Sequence, residues 1–524
     1  MNKYEVYLNE LFNTEKNYLL GGEVKDKLVE KFNCKDSYAR KLIELAVKSY
    51  IIQTNKEITF GKGQYLYWGK NYEISENIIR DKFRDTRPNI YRVLNRFEDN
   101  KGIISYFEIY KIAACTTEKT NSKITQLGDI LEILNKLKNV QTIEDQGVKY
   151  IAEVNSEGRN INYMKNYYSN MKIECTFLPM VLVWLQKNNI IDSEDVLYRN
   201  KKTPCSGIVS SKLVWDACAF TGTAGFNDNI VNKEKDSKSF VFIDICITRD
   251  YTIDDLKGFY DRLQIFRNSV KNNKRRIIPI IFSSNIPSKI KKDIKRLNIL
   301  CFDIKVIFGD KIVHILDDLK IISFPNIYGG EIDDYNDITE RIADSLETLV
   351  STGQEENLQN LKGVFFEALM YKVFAKIFKG SIIRQNYVLN YTENGERYTF
   401  EYDYIIETDD EKIICELKGR KKDSIIKLGN FIEEKKKPEN NTIKWFFSYT
   451  LKKALERLQD SDRKTKACYI TTGKIEKSAR EKMNLMKKFK SSKLDIYYDR
   501  EKLIRLLNEN NCDNEVSLIE RYYK

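Results

Sequence analysis

The chain has few of the residues that histidine-based chemistry requires. One histidine, His314, occurs among 524 residues, and it lies in the apolar run Val313-His314-Ile315. Such a run predicts a strand in which the imidazole is a structural group and not a catalytic one. We therefore expect neither a catalytic triad that depends on histidine nor a nuclease site that binds metal through histidine.

Paired cysteines and long apolar runs are also lacking. Ten cysteines occur without a Cys-X-X-Cys pair, so we expect no zinc ribbon and a reduced, intracellular chain. No stretch approaches the roughly 18 consecutive apolar residues of a membrane-spanning helix. The N-terminus, residues 1–5, lacks the basic and apolar regions of a signal peptide. The expectation is a cytoplasmic protein with no membrane partner.

Positive charge is in modest excess. Lys and Arg total 88 and Asp and Glu total 76, which gives a formal net charge of +12. This excess suggests an anionic partner such as nucleic acid. A chain of 524 residues is long enough for about three or four domains, each with a core of its own.

Charged residues recur at alternate positions in two neighbouring predicted strands of the last third. Residues 398–406 and 412–418 have the apolar character of strands, and the polar residues between them predict a hairpin turn. Side chains at i and i+2 share one face of a strand, so Glu401 points with Asp403, and Glu416 points with Lys418. The hairpin would direct carboxylates and an ammonium to one spot, and carboxylate oxygens are ligands that Mg²⁺ prefers.

A third carboxylate lies on the predicted helix just before this hairpin. The segment 362–379 is mostly apolar, and at about 100° per residue its lysines fall on one side of the helix. Glu367 falls on the opposite, buried side. A buried carboxylate must be paired, protonated or bound to metal, so Glu367 joins the candidate site. The lysines on the other side are Lys362, Lys372, Lys376 and Lys379.

The succession of a helix Glu, a strand Asp and a strand Glu-X-Lys resembles the PD-(D/E)XK nuclease superfamily, which includes many type II restriction endonucleases. The resemblance covers roughly residues 357–510 and implies catalytic roles for Glu367, Asp403, Glu416 and Lys418. By resemblance, Asp403 and Glu416 bind Mg²⁺ or Mn²⁺, and Glu367 is an auxiliary ligand. Lys418 would position or activate the attacking water. Tyr402 replaces the proline of the family's Pro-Asp dipeptide, a change that this variable motif tolerates.

Residues 1–72 have the outline of a winged helix-turn-helix. Predicted helices at 4–12, 23–32 and 37–49 precede two short β runs around the Gly-Lys-Gly tip at 61–63. In this fold the third helix enters the major groove of DNA while the wing touches the backbone. The same fold also serves protein contacts, and that alternative stays open. The residues expected to face DNA are Ser37, Tyr38, Arg40, Lys41 and Lys62.

Residues 73–154 predict a second helical unit, either another winged helix or a helical linker. Arginine is a good partner for phosphate and guanine, and arginines accumulate here, so a DNA contact is an expectation. Residues 155–205 follow as a connector with one apolar helix at 177–186. The arginines are Arg80, Arg84, Arg87, Arg92 and Arg96.

Residues 206–318 predict an α/β domain that resembles a degenerate copy of the C-terminal one. The segment 213–217 echoes the helix around Glu367, and 242–246 echoes the strand with Glu416, with Asp228 upstream of Asp244. Cys246 stands where the lysine is expected, so we expect a nuclease-like fold without cleavage activity. Two alternatives stay open: the similarity is a coincidence among α/β units, or a displaced lysine restores activity. The lysines considered for that role are Lys233, Lys235 and Lys238.

The sequence thus predicts a multidomain protein of α+β and α/β class. It has N-terminal winged-helix domains, a central degenerate nuclease-like domain, a linker helix at 319–356 and a restriction-endonuclease-like domain at 357–524. The expected function is Mg²⁺-dependent cleavage of double-stranded DNA in defence against foreign DNA, by a homodimer if both strands are cut. One alternative is a nuclease for RNA or branched DNA, and another is a DNA-binding regulator without catalysis.

Overall fold

The computed structural model of the chain shows a multidomain mixture of helices and mostly small sheets. It describes residues 2–524 except 16, 119–125, 155–156, 201–206, 211, 224–237, 270–275, 324–334, 352–358, 394, 434–436 and 459–461. Within that part of the chain, none of the helices combines the length and the apolar character needed to cross a membrane.

The first unit has three helices and a three-stranded sheet. Its elements are α1 (Lys3–Glu10), β1 (Tyr18–Leu20), α2 (Gly21–Phe32), α3 (Asp36–Lys48), β2 (Ile52–Thr54) and β3 (Leu66–Gly69). The strand order β1-β3-β2 and the helix bounds agree with the predicted winged-helix outline to within two residues, apart from a short π-helical end to the first helix. At the tip between β2 and β3, Gly61, Lys62 and Gly63 all have positive φ, which explains the two glycines.

Helix α3 forms because its apolar residues recur at helical spacing. Ala39, Leu42, Ile43 and Ala46 are buried on one face and pack in the core of the first unit. Asp36 lies in the first turn and Lys48 in the last, which complements the helix dipole. The opposite face of α3 is left to solvent.

The second unit repeats the plan of the first. Its elements are α4 (Glu76–Thr86), α5 (Pro88–Asp99), β4 (Ile103–Ser105), α6 (Tyr106–Ala113), α7 (Leu127–Lys138), β5 (Val140–Asp145) and β6 (Val148–Glu153). The strand order β4-β6-β5 is again first, third, second. Residues 73–154 thus contain a three-stranded sheet as well as helices, with two helices before the first strand where the first unit has one.

The central unit contains a five-stranded sheet of order β7-β10-β11-β12-β13. Its elements are α8 (Glu157–Lys187), β7 (Leu197–Tyr198), β8 (Ile208–Ser210), β9 (Leu213–Trp215), β10 (Ala217–Thr221), β11 (Ser239–Cys246), α9 (Ile253–Ser269), β12 (Ile277–Ser283), α10 (Ser288–Arg296), β13 (Leu300–Asp303), α11 (Ile304–Phe308) and α12 (Ile312–Ser323).

Several predictions for this region are wrong. The segment 213–217, expected to be helical, forms strands β9 and β10, because a short apolar run fits either structure. His314 lies in helix α12 and not in a strand. The segment 155–205 is more than a connector, since β7 pairs with β10, and α8 is much longer than its apolar part. Asp228, Lys233 and Lys235 lie outside the described residues.

The C-terminal unit follows helix α13 (Tyr335–Ser351), the predicted linker helix. Its elements are α14 (Gln359–Ile377), β14 (Ile382–Glu393), β15 (Glu396–Glu407), β16 (Glu411–Lys418), β17 (Ile425–Ile426), β18 (Phe431–Ile432), β19 (Lys437–Pro438), a π-helix (Trp445–Thr450), α15 (Leu451–Arg457), β20 (Lys464–Thr471), β21 (Lys474–Ile475), α16 (Lys477–Asn484), a 3₁₀ turn (Lys487–Phe489), β22 (Tyr497–Tyr498), α17 (Arg500–Glu509) and α18 (Asp513–Tyr522).

The main C-terminal sheet has the same topology as the central one. Its order is β14-β15-β16-β20-β22, with two antiparallel pairings followed by two parallel ones. The central sheet shows two antiparallel pairings and then two parallel ones in the matching positions. In both units a long helix precedes the first strand, and helices connect the later strands. The two units share one continuous apolar core, which includes residues of both sheets and of helices α8, α12, α13 and α14.

Candidate active site

The candidate catalytic carboxylates lie where strands β15 and β16 stop pairing. The last pair of the ladder is Tyr404 with Cys415, so the next residues in register are Asp403 and Glu416. Beyond the ladder, Asp403 Oδ2 accepts a hydrogen bond from the backbone N–H of Leu417 at 2.6 Å. This bond fixes the Asp403 carboxylate beside the Glu-X-Lys segment.

Lys418 completes this cluster. Its Nζ lies 2.5 Å from Glu416 Oε1 and 3.8 Å from Asp403 Oδ2. Burial alone lowers the pKa of Lys418, but the charges of Glu416 and Asp403 outweigh it, and the pKa is raised above its ordinary value. The side chain is therefore an ammonium at neutral pH, suited to hold a negative charge and not to accept a proton.

Glu367 is buried as predicted, on the helix that packs against strand β16. Its backbone carbonyl accepts a hydrogen bond from the Tyr404 hydroxyl at 2.6 Å. Burial, and after it the charge of Glu367, raises the pKa of Tyr404, and Asp403 acts on the same phenol. Tyr404 is therefore close enough to both carboxylates for their charges to act on its hydroxyl. The structure brings Asp403, Glu416 and Lys418 into contact, whereas the role of Glu367 as a metal ligand stays a prediction.

Lys362 departs from the predicted solvent-exposed side of α14. It is buried, and its Nζ donates to the carbonyl of Tyr522 at 2.8 Å. Gly419, directly after Lys418, lies against this part of the helix: a Cβ there would come within 3.0 Å of Phe366 Cβ and 3.2 Å of the Lys362 carbonyl. The glycine thus allows the end of β16 to approach α14 closely.

The donor set suits a hard divalent cation that keeps part of its water shell. Asp403 and Glu416 offer carboxylate oxygens within one cluster, and Mg²⁺ is usually held by one or two carboxylates together with waters and substrate phosphate. In the described part of the chain, no three His, Cys, Asp or Glu side chains converge to form a fuller metal cage. A cation here would therefore depend on substrate oxygens as well as on the protein.

Exposed basic residues follow the cluster. Directly after Gly419, the chain exposes Arg420, Lys421 and Lys422. Arg420 lies close enough to the cluster that its charge acts on the pKa of Tyr469, as do the charges of Lys418 and Glu416. Cations at the mouth of a carboxylate site compensate its negative charge toward a phosphate backbone. Segment 420–422 therefore adds positive charge beside the cluster.

A lysine from the central unit also lies next to this cluster. Lys172 on α8 lies 2.6 Å from Glu401 Oε1, and both side chains are buried. Glu401 stands two residues before Asp403 on the same face of β15. The partners are 229 residues apart in the chain, so no local pattern could have connected them.

The central sheet carries a second carboxylate pair at the matching position. The β10–β11 ladder ends at Ala217 with Ile243, so the next residues in register are Asp216 and Asp244. Asp216 Oδ2 accepts from the backbone N–H of Ile245 at 2.8 Å, as Asp403 does from Leu417. Asp216 therefore corresponds to Asp403, and not to the helix residue Glu367 as the sequence comparison predicted.

A lysine from the second unit fills the place between these two carboxylates. Lys111 on α6 has its Nζ 2.6 Å from Asp216 Oδ2 and 3.2 Å from Asp244 Oδ1. Lys238, one of the candidates for a displaced lysine, pairs instead with Asp192 at 3.0 Å. The central pair thus does have an ammonium next to it, but that ammonium belongs to Lys111 of the second unit.

Two arginines and a tyrosine contact the remaining oxygens of the central carboxylates. Arg199 Nε lies 2.7 Å from Asp216 Oδ1, an ion-pair contact too oblique for a hydrogen bond. Arg262 donates to Asp244 Oδ1 at 2.8 Å, and the Tyr251 hydroxyl donates to Asp244 Oδ2 at 3.1 Å. Each carboxylate oxygen of the pair therefore has a partner. A metal ion would have to displace these cations, so the central pair does not fit one.

Cys246, which stands in the position of the expected lysine, does not act as its substitute. Its thiol is buried, and burial raises its pKa well above the ordinary value. The side chain therefore stays neutral, and its Sγ donates a weak hydrogen bond to the carbonyl of Arg249. Neither a thiolate nor an ammonium is present at this position.

The predicted DNA-facing residues of the first unit are exposed. Ser37, Tyr38, Arg40 and Lys41 lie on the solvent side of α3, and Lys62 lies at the tip between β2 and β3. Exposure is the condition that a groove-facing helix must meet, but it does not identify the partner.

Two arginines of the second unit are not available for DNA. Arg92 is buried and pairs with Asp261 at 2.7 Å, and Arg96 is buried and pairs with Asp255 at 3.0 Å. Both acidic partners lie on α9 of the central unit. The expected DNA contact fails for these two residues, because they hold the second unit on the central one.

The buried acidic residues of this junction predict a loss of stability in acid. The guanidiniums of Arg249 and Arg96 outweigh the effect of burial and hold the pKa of Asp255 far below its ordinary 3.8. Lys111 and Arg199 likewise outweigh burial and lower the pKa of Asp216. A lowered folded-state pKa stabilises the fold above the unfolded-state value and loses that effect below it. We expect urea midpoints that change little from pH 7 to 5 and fall below about pH 4; an unchanged midpoint at pH 3 would contradict this.

Comparisons of the chain with protein-family models, with curated proteins and with solved structures found no match.

Proposed function

We propose that the chain is a nuclease that hydrolyses phosphodiester bonds of DNA with a divalent cation. The observation that carries this proposal is the convergence of Asp403, Glu416 and Lys418 at the open end of the β15–β16 ladder. Two carboxylates with an adjacent ammonium are the groups needed to hold a cation and a phosphate side by side. The likeness to PD-(D/E)XK nucleases supports the same conclusion.

Each residue of the cluster has a separate task in this proposal. Asp403 and Glu416 would hold Mg²⁺ or Mn²⁺, and Asp403 is oriented for this by the Leu417 N–H. When bound, the cation supplies Lewis-acid stabilisation of the phosphoryl charge. The charged Lys418 contributes an electrostatic contact to the attacked phosphate, which gains strength as negative charge develops. Lys418 lies beside both carboxylates, where its side chain would also position the attacking water.

The first experiment is a cleavage assay on purified full-length protein. Supercoiled plasmid, linear duplex, single-stranded DNA, branched DNA and RNA are incubated with and without Mg²⁺ or Mn²⁺. Cleavage of duplex DNA that depends on the cation is the expected result. Preference for RNA or branched DNA would move the proposal to the alternative substrate, and a lack of cleavage on all substrates would overturn it in favour of a regulator.

The first unit is proposed to bind duplex DNA through the exposed face of α3. We expect Arg40→Ala and Lys41→Ala to weaken the binding of the full-length chain without divalent cation. Each lost phosphate contact should flatten the slope of log affinity against log salt by about 0.9. Binding is followed by fluorescence anisotropy at a series of salt concentrations.

A matched control for these variants is Arg296→Ala, which removes a guanidinium that is 81% exposed on α10 of the central unit. This variant should bind with the affinity and the salt slope of the original chain. If Arg40→Ala and Lys41→Ala behave like Arg296→Ala, α3 serves protein contacts and not DNA.

A further inference from the structure

The central and C-terminal units repeat one sheet topology within a single chain. Their main sheets share strand order and strand direction, and each has a carboxylate pair one step beyond its antiparallel ladder. They also share one apolar core. The central unit therefore covers apolar surface of the C-terminal unit that would otherwise be open to a second copy.

Helix α8 lies between the two carboxylate sites. Lys172 contacts Glu401 beside the C-terminal pair, and Glu174 contacts Arg199, which pairs with Asp216 of the central pair. Residues two apart on an α-helix point about 200° apart and are separated by a rise of about 3 Å. Lys172 and Glu174 therefore extend from opposite sides of one turn of α8, one toward the C-terminal site and the other toward the central site. The two sites are accordingly close to each other.

The two sites differ in their charge. In the central site, the negative charges of Asp216, Asp244 and Glu174 are met by Lys111, Arg199 and Arg262. In the C-terminal site, Lys418 contacts both Asp403 and Glu416. The central carboxylates are almost fully buried, at 0% and 2% exposure, whereas the side chains of Asp403 and Glu416 keep 10% and 14%. A cation at the C-terminal pair would compete with the ammonium of Lys418, whereas a cation at the central pair would have to break ion pairs with Lys111, Arg199 and Arg262.

We propose that each chain cuts only one strand of duplex DNA, because its second nuclease-like unit holds an ion-paired, inactive site in the place of a cleaving partner. This inference depends on the proposed nuclease function and adds to it the form of the product. The product is a nicked duplex with one hydrolysed phosphodiester bond, and a second cut by a homodimer is not part of the reaction.

The test follows the products of supercoiled plasmid with Mg²⁺ at several concentrations of the full-length protein. Open-circular DNA should accumulate first, at a rate proportional to protein concentration, and linear DNA should lag behind it. Linear DNA formed together with the first open circles, at a rate proportional to protein concentration, would show a second active site and overturn the inference. Linear DNA that rises with the square of the concentration would show a homodimer and would overturn it as well.

Isosteric variants separate the two sites. Asp244→Asn should give the same open-circular product at the same rate, whereas Asp403→Asn should give none. If Asp244→Asn proves unstable, Asp216→Asn tests the same site, and the product pattern of the unmodified protein decides independently of both. A change of product from linear to open-circular on Asp244→Asn would overturn the inference. A lack of cleavage of every DNA substrate by the unmodified protein would instead overturn the proposed function, and the inference with it.

Discussion

Lys418→Met is expected to abolish Mg²⁺-dependent cleavage while the protein stays folded and bound to DNA. The ammonium contacts both candidate metal-binding carboxylates and would act on charge that develops only as the phosphate is attacked. Removal of one such preorganised group typically lowers kcat by about 10²–10³-fold. Asp403→Asn and Glu416→Gln should show losses at least as large. The measurement is single-turnover cleavage of plasmid DNA, with the melting temperature and DNA affinity of each variant beside it.

The same strand offers a matched control in Lys412. Its side chain is 12% exposed at the other end of β16, and its Nζ donates to the carbonyl of Leu458 at 3.0 Å. Lys412→Met removes an ammonium that is about as buried as that of Lys418 and lies on the same strand. It should lower stability but leave the cleavage rate of the folded protein unchanged. If Lys418→Met cuts as fast as Lys412→Met, the catalytic assignment fails.

Lys111→Met is expected to produce the largest loss of stability among single substitutions in the ion-paired central site. The change leaves Asp216, which is fully buried, and Asp244, which is 2% exposed, without one of their counter-charges. Removal of one partner from a buried ion pair typically costs about 3–5 kcal/mol of unfolding free energy. Urea denaturation can be followed by tryptophan fluorescence, to which Trp215 contributes from beneath the guanidinium of Arg262 in the same site.

An exposed ion pair provides the comparison for this second prediction. Lys48 and Glu44 are 68% and 61% exposed on α3, so Lys48→Met should change the unfolding free energy by less than about 0.5 kcal/mol. The double variant Lys111→Met with Asp244→Asn removes one charge of each sign and should recover part of the loss. Equal midpoints for Lys111→Met and Lys48→Met would show that the central charges do not support the fold.

Local patterns predicted the elements that carry the C-terminal site. The alternation of residues 412–418 gave the strand and the shared face of Glu416 and Lys418, and helical spacing gave the burial of Glu367. Periodicity predicts which side chains share a face because side-chain direction repeats at a fixed residue spacing along a strand or a helix. The order of helices and strands in the first unit was predictable for the same reason.

The residues that the sequence did not reveal are those joined across long distances in the chain. Lys111 and Asp216 are separated by 105 residues, and nothing in the α6 segment indicates that its lysine enters another domain. Strand β7 has two residues, too few for any alternation to be visible. Asp216 was assigned to the wrong element because Leu213-Val214-Trp215 is apolar throughout and has no period.

The ion pairs between units have a consequence for where a cut would fall. Arg92 and Arg96 tie the second unit to α9, and Lys172 ties α8 to the strand that carries Asp403. In the proposed nuclease, these contacts would keep the distance between the exposed cations of the second unit and the candidate carboxylate Asp403 nearly constant. A nuclease built in this way would hydrolyse its substrate at a fixed number of base pairs from the position it grips, and not at a variable distance set by a flexible tether.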